Sequence, residues 1–197
     1  MDYEKIYKEV FKQENYNKND LREHVFEKVL NRLSPQTKSL IDIGSGRGRF
    51  LLEAYERIPD IEITSLDLDN FHDIELLSYV GASLANFNFI KADLSRKDQR
   101  EELLSLYEDN KFDMLTCLDC LEHLDKSFID DVLFLFSKIS KKSIFTIANH
   151  SDKWGGVELH LIQEGPEYWT KLISEHSTIT EAIRSHARCA LFSCSNE

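Results

Sequence analysis

Glycine and proline, the residues that most often interrupt regular structure, are scarce in this sequence. Its 197 residues include 7 glycines and 3 prolines, about half or less of the average usage of each. No internal repeat or low-complexity tract is present, which excludes a repeat protein or an extended linker. Because 42% of the residues are hydrophobic and 30% are charged, we expect one globular domain of ordinary size with a real core.

Cysteines, basic residues and long apolar runs are also few. The first residues are acidic where a signal peptide would be basic and apolar, so we expect a cytoplasmic protein whose 4 cysteines are reduced thiols. The 35 acidic and 24 basic residues give a net charge of −11, which disfavours nucleic acid as a partner and favours a small-molecule substrate. The longest uncharged run, residues 76–90, is too short and polar to span a membrane.

Short apolar runs alternate with segments of helical period, which predicts an α/β fold with a parallel sheet covered by helices on both faces. The predicted strands lie at residues 40–43, 61–66, 87–90, 112–118 and 143–148, and the predicted helices at residues 50–58, 74–80, 97–107, 128–139 and 166–176. Two further strands, 178–183 and 188–193, are so close in sequence that they predict an antiparallel C-terminal hairpin. The polar stretch 13–19 predicts a division into an N-terminal segment, 1–19, and a single domain, 20–197.

Three of the 7 glycines fall in Gly44-Ser45-Gly46-Arg47-Gly48, between the first predicted strand and the helix that follows it. Open parallel sheets bind ligands at such a turn, where glycines let the backbone bend tightly and approach the ligand. The dinucleotide-binding spacing is G-x-G-x-x-G, whereas the spacing in this sequence is G-x-G-x-G. The cluster therefore predicts a ligand site of a different kind, although a purely structural turn is the alternative.

Acidic residues follow the next two predicted strands. Asp67 ends the second strand 19 residues after Gly48, where an acid reaches the hydroxyls of a ribose. Asp93 ends the third strand and is placed to accept a hydrogen bond from an adenine amino group. A helix cap or a solvated loop residue is the alternative for either acid alone, but three such strand ends in order favour a nucleoside site.

From Leu40 onward, these motifs resemble the class I S-adenosylmethionine-dependent methyltransferases. The resemblance implies a doubly wound, seven-stranded, mostly parallel sheet whose last strand is antiparallel. It also implies that the glycine loop lies against the methionine part of the cofactor and that the backbone near Leu118 meets the amino-acid end. The implied cofactor-binding residues are Asp42, Gly44, Ser45, Gly46, Gly48, Asp67, Leu68, Asp93, Leu94 and Leu118.

Asp119, Glu122 and His123 follow the fourth predicted strand at i, i+3 and i+4, so a helical turn would bring them together as ligands of a divalent cation. Two branches of the superfamily, ubiquinone-pathway O-methyltransferases and small-RNA terminal 2′-O-methyltransferases, carry E-x-x-E-H at this place. The small-RNA branch adds a later histidine, which His160 matches. Because Asp119 is shorter than the glutamate it replaces, we favour an interpretation without metal, in which hydrogen bonds hold His123 near the active site.

The implied reaction is an in-line displacement, in which an acceptor atom attacks the sulfonium methyl group. His123 is the first candidate for a base, with His150 and His160 behind it. We also expect residues 1–19 to fold over the cofactor as a lid, with an inner face of Tyr3, Ile6, Tyr7 and Val10.

Three alternatives stay open beside transfer to a small molecule. A metal-assisted RNA 2′-O-methyltransferase is the first. A nicotinamide-dependent oxidoreductase would share the sheet and the ribose-binding acid, but the glycine spacing and Asp93 argue against it. A non-catalytic cofactor-binding module that acts through a partner protein is the third.

Overall fold

The computed structural model describes residues 3–12, 20–72, 86–109, 111–186 and 188–196. These residues form two compact units, Met1–Ala92 and Asp93–Glu197. The helix predicted at residues 74–80 and the polar stretch 13–19 lie outside the described residues. No helix in the described ranges is long and apolar enough to cross a membrane.

The N-terminal unit contains three parallel strands in the order β3-β2-β1. Its elements are α1 (Tyr3–Phe11), α2 (Asp20–Leu30), β1 (Ser39–Ile43), α3 (Arg49–Arg57), β2 (Glu62–Asp67) and β3 (Phe87–Lys91). β1 is buried along almost its whole length, because a strand inside a parallel sheet is covered on both faces. The register pairs Ile43 with Leu66 and Asp67 with Lys91, so the carboxyl ends of the strands meet at one edge.

The C-terminal unit contains four strands in the order β4-β5-β9-β8. Its elements are α4 (Lys97–Tyr107), β4 (Met114–Leu118), α5 (Ile129–Ile139), β5 (Lys142–Ala148), β6 (Lys153–Trp154), β7 (Val157–Glu158), α6 (Pro166–Ser174), β8 (Thr178–His186) and β9 (Cys189–Ser195). β4 and β5 are parallel, and β9 is antiparallel to both β5 and β8. The antiparallel C-terminal hairpin predicted from the sequence is confirmed, and so is the seven-stranded α/β fold class.

The sequence did not predict the small hairpin of β6 and β7, in which Lys153 pairs with Glu158. Each of its strands has two residues, too few to show an alternating pattern. Gly155 and Gly156 form its turn with φ angles of 54° and 84°. This pair of glycines was the available signal, since turns of this kind need positive φ.

Aromatic packing joins α5 to the strand that follows it. Phe136 on α5 is fully buried and packs against Phe145 on β5, with ring centroids 6.2 Å apart. Phe134, two residues earlier on the same helix, is 43% exposed. The two phenylalanines therefore lie on opposite sides of the boundary between core and solvent.

We expect Phe136→Ala to lower the free energy of unfolding by about 3 to 5 kcal/mol, because the cavity left in the core closes only partly. Urea denaturation measures the change. Phe134→Ala is the matched control on the same helix and should cost about 1 kcal/mol or less. Equal losses in the two variants would contradict the placement of Phe136 in the core.

Candidate functional site

The glycine loop of the N-terminal unit connects β1 to α3 over residues 44–48. Gly44, Gly46 and Gly48 have φ angles of 69°, 53° and 75°, a left-handed region that side chains disfavour. The Gly44 amide donates to the Leu66 carbonyl at 2.8 Å, which ties the loop to the end of β2. The glycine spacing noted in the sequence is therefore required by the backbone itself.

Asp67, the last residue of β2, lies directly against this loop. One of its carboxylate oxygens accepts the Gly46 amide at 2.8 Å, and the other accepts the Leu68 amide at 2.7 Å. Burial raises the pKa of Asp67 to about 6, although the two amide donors oppose this shift. The structure thus brings together three of the predicted cofactor-binding residues, Gly46, Asp67 and Leu68.

Two polar residues beneath the loop were not predicted from the sequence. The Ser45 hydroxyl lies 2.6 Å from the hydroxyl of Ser65 on β2, which in turn lies 2.8 Å from Nε2 of His72. Ser65 is fully buried, and Asp42 on β1 is 3% exposed. Ser65 and His72 were missed because neither belongs to a motif, and only the sheet register places Ser65 beside Asp42.

Asp93 and Leu94 open the C-terminal unit. The Asp93 carboxylate accepts the Ser95 amide at 2.9 Å, and the Asp93 carbonyl accepts the Arg96 amide at 3.0 Å. Leu94 is buried. Asp93 thus stabilises the turn before α4 without capping the helix, whose N-cap position is Arg96. Its predicted contact with adenine stays a prediction.

The chain turns sharply after Leu118, the last residue of β4. Asp119 has a φ angle of 50°, unusual for a residue other than glycine. Its amide donates to the Thr146 carbonyl at 2.8 Å, and its carboxylate accepts the Thr146 hydroxyl at 3.0 Å. Asp119 is therefore fixed to β5.

The short 3-10 helix Leu121–His123 presents the next two predicted residues. Glu122 is fully buried, and its carboxylate accepts the Ala148 amide at 2.8 Å. Nδ1 of His123 lies 2.9 Å from the Leu159 carbonyl. Because a carbonyl only accepts, Nδ1 carries the proton, and the lone pair of the neutral ring is on Nε2.

His160 has the same tautomer, since its Nδ1 lies 2.6 Å from the His150 carbonyl. Its ring centroid is 4.7 Å from that of His123 and 4.9 Å from that of His150. Burial lowers the pKa of His160, although the hydrogen bond to the His150 carbonyl opposes the shift. The His160 imidazole is therefore neutral near pH 7 and able to accept a proton.

Three of the four predicted metal-ligand residues come together. Glu122, His123 and His160 offer ligand atoms that lie within 4.8 Å of one another. Asp119 is not part of this group, because the left-handed turn directs its carboxylate to Thr146. Residues at i, i+3 and i+4 lie on one face only when all three are in a helix. Asp119 lies before the 3-10 helix, which begins at Leu121, so its spacing to Glu122 and His123 does not bring it beside them.

Glu158 on β7 organises the loop that carries the later histidines, and the sequence did not single it out. Its carboxylate accepts the Ser151 hydroxyl at 2.6 Å, the Asp152 amide at 2.8 Å and the His160 amide at 3.2 Å. These bonds close residues 151–160 into a compact loop and hold His160 beside His123.

Comparisons with known proteins agree with this geometry. A family model described as a methyltransferase domain matches residues 17–182. A search of curated proteins finds no match. Solved structures share the fold at low identity. A protein from Pyrococcus horikoshii OT3 has a TM-score of 0.69 at 14% identity, covering 92% of this chain and 93% of that chain.

Two solved methyltransferase structures also share the fold of this chain at low sequence identity. Magnesium protoporphyrin IX methyltransferase from Synechocystis PCC 6803, solved with bound SAH, has a TM-score of 0.63 at 14% identity, with 94% of this chain and 89% of that chain covered. An O-methyltransferase family protein from Burkholderia thailandensis has a TM-score of 0.67 at 16% identity, with 89% of this chain covered. The match spans only 56% of the Burkholderia protein and 53% of mitomycin 7-O-methyltransferase, another structure with this fold.

The raised pKa of Asp67 predicts a pH dependence of stability. The pKa is about 6 in the folded protein against an ordinary value of 3.8, so the folded state binds this proton more tightly than the unfolded chain does. Its contribution to stability is complete below about pH 4 and is lost as the pH rises through about 6. We expect the unfolding free energy of the wild type, relative to Asp67→Asn, to fall by about 1 to 3 kcal/mol between pH 4 and pH 7.

Urea denaturation at several pH values measures this difference. Asp60→Asn, at the exposed turn before β2, is the control for removing an aspartate from the same unit. Parallel curves for the wild type and Asp67→Asn would contradict the burial of the Asp67 carboxyl group.

Proposed function

Because the chain belongs to the methyltransferase-domain family, we propose that it transfers the methyl group of S-adenosylmethionine to a small-molecule acceptor. The observation that carries this proposal is the Asp67 carboxylate against the Gly46 amide, in a loop with three left-handed glycines. An acid at a strand end beside such a loop is suited to hold the ribose of a nucleoside.

The contribution of the protein's own residues is to position the methyl donor and the acceptor. S-adenosylmethionine, when bound, supplies a methyl group on a positively charged sulfur, which is already activated toward attack. Rate enhancement then depends on holding donor and acceptor in line and on removing a proton where the acceptor carries one.

In the N-terminal unit, we assign the glycine loop and Asp67 to the cofactor. The backbone of Gly44, Ser45, Gly46 and Gly48 would lie against the methionine part, and the Asp67 carboxylate would accept the ribose hydroxyls. Asp42 and Leu68 flank these groups in the sequence. In the C-terminal unit, Asp93 and Leu94 are assigned to the adenine and Leu118 to the amino-acid end, as the resemblance implies.

His123 is the proposed base. Its Nδ1 proton is held by the Leu159 carbonyl, so Nε2 is the atom that accepts the proton of a hydroxyl or amine. The neutral His160 beside it adds no positive charge that would oppose this transfer. His123 therefore does not need a carboxylate partner to be in the correct tautomer.

A small-molecule acceptor is supported by charge and by the related structures. The net charge of −11 opposes binding to a phosphate backbone. Two structures with this fold are named for small molecules, mitomycin and magnesium protoporphyrin IX. We infer that the acceptor is of this kind.

Metal-assisted methylation of an RNA 2′-hydroxyl is the second candidate. The observation that favours it is the proximity of Glu122, His123 and His160, since one carboxylate and two imidazoles suit a divalent transition metal. In that case the three side chains would hold the ion, and His123 would be a ligand and no longer a base.

We expect the protein to bind S-adenosylhomocysteine in isothermal titration calorimetry, and Asp67→Ala to weaken binding about 10- to 100-fold. This loss corresponds to hydrogen bonds made to a charged group, worth about 1.5 to 3 kcal/mol. Asp60→Ala, at the exposed turn before the same strand, is the matched control and should bind like the wild type.

The same titration with NAD distinguishes a methyltransferase from a nicotinamide-dependent oxidoreductase. We expect the protein not to bind NAD. Absence of S-adenosylhomocysteine binding by the wild type at high micromolar concentration would overturn the proposal. An Asp67→Ala variant with unaltered affinity would remove Asp67 from the site.

We expect His123→Ala to lower methyl transfer about 10²- to 10⁴-fold, the usual contribution of a general base, with little change in S-adenosylhomocysteine affinity. Transfer is measured with tritiated S-adenosylmethionine into separate small-molecule and RNA fractions of a cell extract. His176→Ala, which removes a hydrogen bond with Asp130, is the control.

Chelation distinguishes the two roles of His123. If His123 is a base, EDTA leaves transfer into the small-molecule fraction unchanged. Transfer into RNA that EDTA abolishes and manganese restores would support the metal-assisted candidate instead.

A further inference from the structure

Helix α1 presents a mostly apolar face to the N-terminal unit and a charged face to solvent. Val10 is fully buried. The half-buried residues are Tyr3, Glu4, Ile6, Tyr7 and Phe11, and the exposed ones are Lys5, Lys8 and Glu9. The four residues predicted for the inner face of the lid are all buried or half-buried, and Phe11, four residues after Tyr7, lies on the same face.

Phe11 lies on the glycine loop itself. Its ring is 3.3 Å from the position that a Cβ atom on Gly46 would occupy. The ring also stacks on Phe71, with centroids 4.6 Å apart. The Phe11 carbonyl accepts a hydrogen bond of 2.6 Å from the guanidinium of Arg47, which belongs to the same loop. The C-terminal end of α1 is thus held by both the backbone and a side chain of the loop.

Four charged side chains form a closed ring between α1 and the ends of β2 and β3. Lys8 contacts Asp69 at 2.6 Å and Glu4 at 2.8 Å. Lys91 contacts Glu4 at 2.8 Å and Asp69 at 3.5 Å. We call these residues (Glu4, Lys8, Asp69 and Lys91) the ionic ring.

The ionic ring favours the charged form of each member: Asp69 raises the pKa of Lys8 and Lys8 lowers that of Asp69, while Glu4 raises the pKa of Lys91 and the two lysines lower that of Glu4. All four side chains are partly exposed to solvent. Exposed ion pairs are individually weak and are screened by salt, so a ring of this kind opens readily and closes again.

We propose that α1 forms one wall of the cofactor site, with Phe11 as a cofactor-contacting residue and the ionic ring as the latch that opens for cofactor exchange. This inference rests on the proposed function, because it assumes that the cofactor lies along Gly46 and Asp67. Phe11 already covers the backbone of Gly46. An aromatic ring at that position excludes water from the Asp67 carboxylate, which strengthens the hydrogen bonds that hold the ribose.

The wall is tested by measuring both the affinity and the dissociation rate of tritiated S-adenosylhomocysteine. The rate comes from a chase with unlabelled ligand followed by rapid filtration. We expect Phe11→Ala to raise Kd about tenfold, mainly through faster dissociation, since loss of a packed aromatic contact removes both area and water exclusion. Phe11→Leu, which keeps most of the apolar volume, should give an intermediate value.

Phe134→Ala, an exposed phenylalanine of the C-terminal unit, is the matched aromatic control and should dissociate like the wild type. Tighter binding of S-adenosylhomocysteine by Phe11→Ala would contradict the proposal that α1 forms a wall of the site, because it would show that Phe11 occupies the place the cofactor takes. Unchanged binding by both Phe11 variants would overturn it as well.

The latch is tested by salt and by a double-mutant cycle. We expect wild-type dissociation to accelerate about threefold between 0.05 M and 1 M KCl, where the Debye length falls to about 3 Å. Lys8→Gln and Asp69→Asn should each give fast dissociation already at low salt, and the double variant should be no faster than either single one. Lys12→Gln, which breaks a pair with Glu9 at the end of α1 and leaves the ionic ring intact, should behave like the wild type.

Failure of this inference is distinct from failure of the proposed function. A wild type that binds no S-adenosylhomocysteine refutes the function. A wild type that binds it with a dissociation rate insensitive to salt, to Lys8→Gln and to Asp69→Asn refutes the latch and leaves the function intact. Thermal unfolding of each variant without ligand confirms that it is folded.

Discussion

The hydrogen bond from the Gly46 amide to the Asp67 carboxylate ties the glycine loop to the end of β2, and the N-terminal half of the candidate site is built around it. The bond requires the left-handed backbone of the loop, which only glycine adopts without strain. Burial of the Asp67 carboxylate raises its pKa, and the bond to the Gly46 amide opposes this shift. Helix α1 then packs on the same glycine through Phe11. One backbone amide thus links loop, acid and helix.

In the C-terminal unit, backbone carbonyls orient the histidine side chains of the candidate site. The carbonyls of Leu159 and His150 fix the tautomers of His123 and His160, so both rings are oriented without a carboxylate neighbour on Nδ1. Glu158 closes the loop that supplies these carbonyls. Such an arrangement suits a neutral proton acceptor, and with Glu122 nearby it also has the composition of a metal site. The same geometry therefore supports two chemistries that differ in their response to chelation.

The sequence predicted those features that depend on local pattern. Strands β1, β2 and β3 were located to within one or two residues, because buried parallel strands are short apolar runs. The tight turn between β1 and α3 was predicted from its glycines, and the structure shows that its backbone is left-handed. The hairpin of β6 and β7 was missed because two-residue strands carry no period. Asp119 does not join the group of Glu122, His123 and His160, because a positive φ directs its carboxylate to Thr146.

The sequence by itself determined the fold class, the order of the strands along the chain and the positions of Asp67 at one strand end and His123 shortly after another, since these follow from periodicity and from residues close in sequence. The tertiary structure alone decided which groups meet: Phe11 with Gly46, Asp69 with Lys8 and Lys91, and His160 with His123. These partners are separated by long stretches of chain. Their contacts are set by the packing of one element on another, which no local pattern specifies.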